Sequence, residues 1–136
     1  MRPAIVILHA AAMETARRIQ AELAAGIHAP EGVVGADTHY PALAGHLRSL
    51  FREGRPIVAI MAAGAVIRIL APSLADKRSE PAVLALSEDG RSIVPLLGGH
   101  QGANEMARRL AGALGGHAAV TTAGDTRFGV ALDAPP

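Results

Sequence analysis

A chain of 136 residues is long enough to bury a hydrophobic core and fits a single domain. Half of the residues are hydrophobic but only 2% are aromatic, and 13 Lys and Arg against 12 Asp and Glu leave a formal net charge of +1. This composition disfavours nucleic-acid binding by base stacking and gives no general attraction to nucleic acid or membrane. The absence of cysteine excludes disulfides, thiolate nucleophiles and cysteine-bound metals.

The first third of the chain predicts a strand, a helix and an irregular segment. Ala4–Leu8 is a continuous apolar run typical of a strand buried on both faces. It is too short for a signal peptide or a membrane span, so we expect a cytoplasmic protein. Apolar residues at helical spacing follow from Met13, and Gly26 is the expected end of that helix. Residues 27–40 look irregular, with one short strand at Val33–Val34.

The middle of the chain continues the alternation of strand and helix. Pro41 opens a second helical pattern, which Gly54 ends. Ile57–Met61 predicts a second buried strand, and a short helix should follow Gly64 and stop at Pro72.

A hairpin is predicted next. Ala82–Leu86 and Ser92–Leu96 flank the turn residues Glu88–Gly90. Pro95 has no backbone N–H to donate, so we expect the second strand to end early or to lie at an edge of the sheet.

The last predicted elements are an amphipathic helix over Ala103–Leu114 and a strand over Ala118–Thr122. Alternating strands and helices predict an α/β fold, a three-layer sandwich with a mostly parallel central sheet. We expect Ile5, Val58 and Val120 in its buried strands.

A glycine-rich loop enters the last predicted helix. Gly98, Gly99 and Gly102 surround His100 there, and such glycines let the backbone approach a ligand closely. Free N–H groups at the helix start favour an anion. His100 could donate to a carboxylate or act as a general base near neutral pH, and Asn104 could bind the same ligand. The alternatives are a structural turn and a histidine that braces the loop by a hydrogen bond.

Further candidate positions lie outside this loop. Gly64 belongs to the turn after the second buried strand, and Arg68 follows one helical turn later. Lys77 lies in a charged connector and Thr122 ends the last strand, although solvation and strand propensity also explain both. Arg68 could hold a carboxylate bidentately or pair with a surface acid. Because parallel strands share a carboxyl edge, we expect Gly64, Arg68 and His100 to converge on one cleft.

Other kinds of site are disfavoured. His9 and three alanines follow the first strand in place of a G-x-G-x-x-G sequence, and no phosphate-binding or nucleophile-elbow motif occurs, which argues against a flavodoxin-like nucleotide binder. His39 and His46 lack a carboxylate partner in the sequence, so we interpret them as surface residues rather than zinc ligands.

Three stretches form a pattern in a fixed order along the chain. They are Met61–Pro72, Asp76–Val83 running into Asp89–Arg91, and Pro95–Ala107 followed by Ala119–Ala123. Together they resemble the N-terminal domain of the cobalt-precorrin-5A hydrolases, and the resemblance runs from the first strand to about Arg127. Full-length members of that family look longer. We therefore expect a domain over residues 1–130 and the start of a linker over 131–136.

The resemblance implies a hydrolase of cobalamin biosynthesis. Such an enzyme opens the δ-lactone of cobalt-precorrin-5A and releases a two-carbon fragment as acetaldehyde. It needs no cofactor of its own, since cobalt arrives inside the corrinoid precursor, and its partners would be further domains or other enzymes of the pathway. The alternative is a non-catalytic module that binds tetrapyrrole or bridges domains. We assign catalysis to His100 and substrate binding to Gly64, Arg68, Lys77, Gly98, Gly99, Gly102, Asn104 and Thr122.

Overall fold

The computed structural model describes residues 1–75 and 80–121, which form a seven-stranded sheet with helices on both faces. The strands in chain order are β1 (Ala4–Ile7), β2 (Gly26–Pro30), β3 (Thr38–Tyr40), β4 (Ile57–Ile60), β5 (Val83–Leu86), β6 (Ser92–Leu97) and β7 (His117–Ala118). The helices are α1 (Met13–Glu22), α2 (Leu43–Arg52), α3 (Ala63–Leu70) and α4 (Ala103–Leu114).

The predicted three-layer α/β sandwich is confirmed. The apolar runs containing Ile5 and Val58 form the adjacent strands β1 and β4, which are buried on both faces. One core cluster joins the sheet to α1 and α4, and the other joins its opposite face to α2 and α3. Each helix contributes an apolar stripe to one of these clusters, and aliphatic side chains fill nearly all of the core.

The direction of the strands determines which loops meet. The sheet order is β3-β2-β1-β4-β5-β6-β7, in which β1 to β5 are parallel, β6 is antiparallel to β5, and β7 is parallel to β6. We call the edge where β1 to β5 begin the amino edge, and the edge where they end the carboxyl edge. Because β6 reverses direction, the loop that follows it lies at the amino edge.

Two strands lie in the segment predicted to be irregular, and the predicted strand at Val33–Val34 is wrong. β2 pairs in parallel with β1, and β3 pairs in parallel with β2. Val34 is 90% exposed in the turn between them. The glycine, histidine and proline of β2 are poor strand formers, and its pairing with the buried β1 overrides their propensities. Gly26, predicted to end α1, instead begins this strand.

The end of the described chain differs from the expected strand. β7 has only two residues, and Val120 is half-buried outside any strand, so its predicted place in a buried strand is wrong. β7 lies at the border of the sheet and pairs with β6 at Ser92 and Ile93. The boundary predicted at residue 130 and the linker at 131–136 fall outside the described residues. No described helix has the length and apolarity needed to cross a membrane.

Two histidines contact each other beneath α2. His28 of β2 is only 5% exposed, and its Nδ1 lies 2.7 Å from Nε2 of His46. The His46 ring stacks on Tyr40, whose hydroxyl donates to the carbonyl of Ile7 at 2.7 Å. The prediction of a surface residue is therefore wrong for the half-buried His46, whereas His39 is exposed. Burial, and then the charge of His46, lower the pKa of His28 to about 4; burial also lowers the pKa of His46.

We expect the free energy of unfolding to decrease as the pH falls from 6.5 toward 4. In this window the unfolded chain takes up a proton at its ordinary histidine pKa of 6.5, whereas folded His28 stays neutral down to about pH 4. The stabilisation is complete above pH 6.5, and the loss should be on the order of 2 kcal/mol. Denaturant unfolding at a series of pH values measures it. His28→Gln should flatten the dependence and exposed His117→Gln should not; equal slopes in parent and His28→Gln would contradict this origin.

Candidate functional site

The glycine-rich loop is a compact turn between β6 and α4 at the amino edge. It contains a 3₁₀ turn over Gly99–Gln101, flanked by Gly98 at φ 76° and Gly102 at φ 92°. The carbonyl of Gly98 accepts hydrogen bonds from the backbone N–H groups of Gln101 at 2.8 Å and Ala103 at 3.1 Å. The loop geometry is therefore held by its own backbone, and it delivers the chain directly into the first turn of α4.

Gly98 approaches the neighbouring strand more closely than other residues can. A Cβ atom at this position would lie 2.5 Å from the carbonyl oxygen of Pro81 and 2.7 Å from Cα of Ala82. The left-handed φ of Gly98 is also one that side chains rarely adopt. This packing fixes the loop against the start of β5, so Gly98 has a structural role beside any contact with a ligand.

The polar side chains of the loop lie at its outer surface. His100 is exposed on the 3₁₀ turn, and Asn104 is half-buried in the first turn of α4. The amide nitrogen of Asn104 lies 3.7 Å from the position that a Cβ of Gly99 would take, so these two residues share one side of the loop. Both His100 and Asn104 make interactions with the surrounding chain. The structure thus brings together Gly98, Gly99, His100, Gly102 and Asn104 as predicted from their order in sequence.

A buried acid near this loop escaped the sequence analysis. Glu80 is only 8% exposed and directly precedes Pro81, whose carbonyl faces Gly98. Within the described part of the chain its carboxylate makes no hydrogen bond and no ion pair. Its place in the second stretch of the family pattern was the signal that could have drawn attention to it. A carboxylate at this position could orient a basic side chain.

The predicted meeting of Gly64 and His100 in one cleft is wrong. Gly64 is the second residue of α3, which begins where β4 ends, at the carboxyl edge. The His100 loop lies at the amino edge, since Leu97 at the end of β6 pairs with Val83 at the start of β5. Arg68 is exposed in the last turn of α3, which runs back toward the amino edge. Lys77 and Thr122 lie outside the described residues.

The carboxyl edge contains a crevice of about 410 Å³ between the ends of β1, β4 and β5. Strand order changes direction between β1 and β4, which is the usual location of ligand sites in such sheets. Its walls are mostly apolar, and the described lining residues include no Lys or Arg; they are Leu8, Ile60–Ala63, Ala85–Glu88, Ser92 and Val94. Such walls offer no cation to a ligand that carries several carboxylates.

A second pair missed by the sequence analysis borders this crevice. Nε2 of His9 lies 3.0 Å from Oε2 of Glu88, and both side chains are about half exposed. The Thr15 hydroxyl donates to the carbonyl of Glu88 and so attaches the hairpin to α1. His9 comes just after β1 and Glu88 lies in the hairpin turn, and these two positions were the signal in the sequence that could have indicated the pair. A carboxylate-oriented imidazole is suited to proton transfer, but an imidazole paired at the surface can also be purely structural.

No group of three or more potential metal ligands occurs within residues 1–75 and 80–121.

Comparisons with known proteins agree on one family. A family model described as cobalamin synthesis G N-terminal matches residues 45–125. The chain is 40% identical over 88 residues to a cobalt-precorrin-5A hydrolase of Priestia megaterium, covering 64% of this chain and 24% of that protein. It is 42% identical over 87 residues to a cobalt-precorrin-5A hydrolase of Salmonella typhimurium, covering 63% and 25%. The chain thus spans about a quarter of the length of these curated relatives.

A solved structure supports the fold. The crystal structure of a cobalamin biosynthesis protein G homolog from Sulfolobus solfataricus superimposes with a TM-score of 0.68 at 22% sequence identity. The superposition covers 88% of this chain and 36% of the other. At this level of identity the likeness shows a shared fold, which agrees with the three-layer sandwich described above.

Proposed function

The chain belongs to the cobalamin synthesis G N-terminal family, and we propose that it forms the substrate-binding part of a cobalt-precorrin-5A hydrolase. The observation that carries this proposal is the family match over residues 45–125, which includes the whole loop from Gly98 to Gly102. The substrate would be a corrinoid precursor that brings its own cobalt, and the reaction would take place in the cytoplasm. Further domains or other enzymes of the pathway would be the partners.

The amino edge is better suited to this substrate than the crevice at the carboxyl edge. A corrinoid precursor carries several carboxylates, which require hydrogen-bond donors and cations. The start of α4 offers backbone donors and the positive end of a helix, while Arg68 can hold a carboxylate bidentately. Among the described residues, the walls of the crevice contain no Lys or Arg and include the carboxylate of Glu88.

We assign proton transfer in this reaction to His100. Opening a lactone by hydrolysis requires water to lose a proton as it attacks the ester carbonyl, and an imidazole is suited to accept that proton near neutral pH. His100 is exposed and could reach a bound ligand. Lys77 and Thr122 remain predicted contacts to the substrate carboxylates.

The experiment that tests this function measures acetaldehyde release from cobalt-precorrin-5A by the natural full-length protein. We expect stoichiometric acetaldehyde and binding of the precursor by the 136-residue chain, followed through the visible absorption of the corrinoid. Failure of the 136-residue chain to bind the precursor would contradict the proposal.

A non-catalytic module is the second candidate. The observation in its favour is that the chain spans only about a quarter of its curated relatives, which leaves room for the reacting groups elsewhere. Binding of the precursor by the chain, combined with turnover that survives loss of His100, would support this candidate.

A further inference from the structure

Three basic side chains from distant parts of the sequence lie in or just before three neighbouring strands, one of which, β4, is next to β5, where Gly98 packs. Arg2 precedes β1, His28 lies in β2 and Arg55 precedes β4. These three strands are neighbours in the order β2-β1-β4, so the topology brings the three residues to one stretch of the edge.

Gly26 leaves room for one methyl group beside Arg2 and His28. A Cβ added to Gly26 would lie 3.7 Å from Nε2 of His28 and 3.8 Å from Cζ of Arg2, so both groups border the space above this glycine. One guanidinium nitrogen of Arg2 donates to the carbonyl of Ala25 at 3.2 Å, which holds the side chain over the start of β2. The missing side chain at Gly26 thus leaves room between two hydrogen-bond donors.

His28 can act as a donor toward this space while it stays neutral. Its Nδ1 is engaged by Nε2 of His46 at 2.7 Å. If His46 donates in this contact, the proton of neutral His28 resides on Nε2, which borders the space above Gly26. No described residue forms a hydrogen bond with Nε2, which retains contact with solvent in a residue that is 5% exposed overall.

Arg55 supplies a buried donor that lacks an acceptor. Its Nε is buried, and no acceptor within the described part of the chain forms a hydrogen bond with it. One of its terminal nitrogens lies 3.6 Å from the carboxylate of Glu53, a long contact with a half-exposed group. A buried N–H without an acceptor costs about 1–3 kcal/mol, and such a group commonly indicates an unobserved ion or water.

The electrostatics of the cluster agree with its geometry. After burial and His46, the charges of Arg55 and, more weakly, Arg2 contribute to the lowered pKa of His28. The carboxylate of Asp37 acts in the opposite direction, but it already accepts hydrogen bonds from the backbone N–H of Ile27 at 2.8 Å and from Gln20 at 2.9 Å. Glu53 is the other nearby acid, and it acts on His46 and Arg55. Two guanidinium groups, of Arg2 and Arg55, and two carboxylates, of Asp37 and Glu53, therefore surround His28, and the carboxylate of Asp37 is already engaged by its hydrogen bonds.

We propose that Arg2, His28 and Arg55 form an oxyanion site that binds a carboxylate group of the ligand. This inference rests on the proposed function for its ligand, since a polycarboxylate macrocycle could contact both this site and the Gly98 loop. One strand spacing separates β4 from β5 and three separate β2 from β5, so the members of this site lie about 5–14 Å along the edge from the start of β5, where Gly98 packs. The site would fix the orientation of the ligand on the amino edge.

The test uses citrate and acetate as probes and the 136-residue chain. In NMR titrations, citrate should shift the signals of the Arg55 Nε–H group and the His28 ring, and acetate should do so at higher concentrations. Arg2→Gln and Arg55→Gln should each weaken citrate binding by about tenfold, the usual effect of losing one charge-assisted hydrogen bond. Arg55→Lys retains the charge without the Nε donor and should also weaken binding, which guards against a folding defect in Arg55→Gln.

Arg18→Gln is the matched control, because this exposed arginine donates to the carbonyl of Ala113 in α4, on the opposite face of the sheet from α2. It should leave citrate binding unchanged. Absence of citrate-induced shifts at Arg55 and His28, or equal weakening by Arg18→Gln, would overturn the proposal. Because the probe is neither a corrinoid nor a substrate, this outcome is independent of acetaldehyde release. Citrate binding without corrinoid turnover would support the site and contradict the proposed reaction.

Discussion

Leu110→Ala is expected to lower the free energy of unfolding by about 3 kcal/mol, the typical cost of truncating a buried leucine. Leu110 is fully buried in the core between α4 and the sheet. The substitution removes apolar contacts and leaves a cavity at the helix that carries the glycine-rich loop at its start. Equilibrium urea unfolding followed by circular dichroism measures the change.

Gly112→Ala is the control on the same helix and should have the opposite sign. A Cβ at Gly112 meets nothing within 4 Å, and the residue lies in the last turn of the helix. Alanine there should raise the free energy of unfolding by about 0.5–1 kcal/mol. A loss below about 1 kcal/mol in Leu110→Ala would show that α4 is not held by this core, contrary to the structure.

His100→Ala is expected to reduce turnover of cobalt-precorrin-5A in the full-length protein by about 10²–10⁴-fold, the usual contribution of general acid–base catalysis. Affinity should change far less, because His100 is one of several polar groups on the loop. Saturation curves for acetaldehyde release separate the two quantities.

Arg68→Ala provides the comparison for binding. Loss of a carboxylate contact should lower affinity by about 1–3 kcal/mol with near-normal turnover at saturation. If His100→Ala behaves in this same way, His100 is a binding residue and the catalytic assignment is wrong. Substitution of exposed His39 should affect neither quantity.

The sequence predicted those elements whose apolar pattern matches their burial. The runs around Ile5 and Val58 lie in fully buried strands, and α4 has the predicted bounds. β2 escaped prediction because its residues have little strand propensity of their own, and its conformation comes from pairing with β1. His28 is buried by that pairing, so its contact with His46 could not be predicted from local sequence.

The candidate site was predicted in parts but not in its arrangement. The order of glycines around His100 indicated the loop, and the structure confirms its position before α4. The expectation of a shared edge with Gly64 failed because it treated β6 as one more parallel strand. The hairpin around Glu88–Gly90 already implied the reversal, since two hairpin strands run in opposite directions. The burial of Glu80 and the contact between His9 and Glu88 arise from tertiary packing, which the spacing of residues along the sequence does not reveal.

Pro95 has a consequence for how the sheet ends. The carbonyl of Ile93 accepts a hydrogen bond from Ala119 on the β7 side, and described pairing between β6 and β7 stops there. Two residues further on, the backbone of Pro95 faces the same side without a hydrogen to donate. A strand of another molecule that paired with β6 at this point would therefore lack one backbone hydrogen bond. Within the described residues β7 covers only the first part of β6, and a proline beyond it is the kind of residue that disfavours edge-to-edge pairing with another chain.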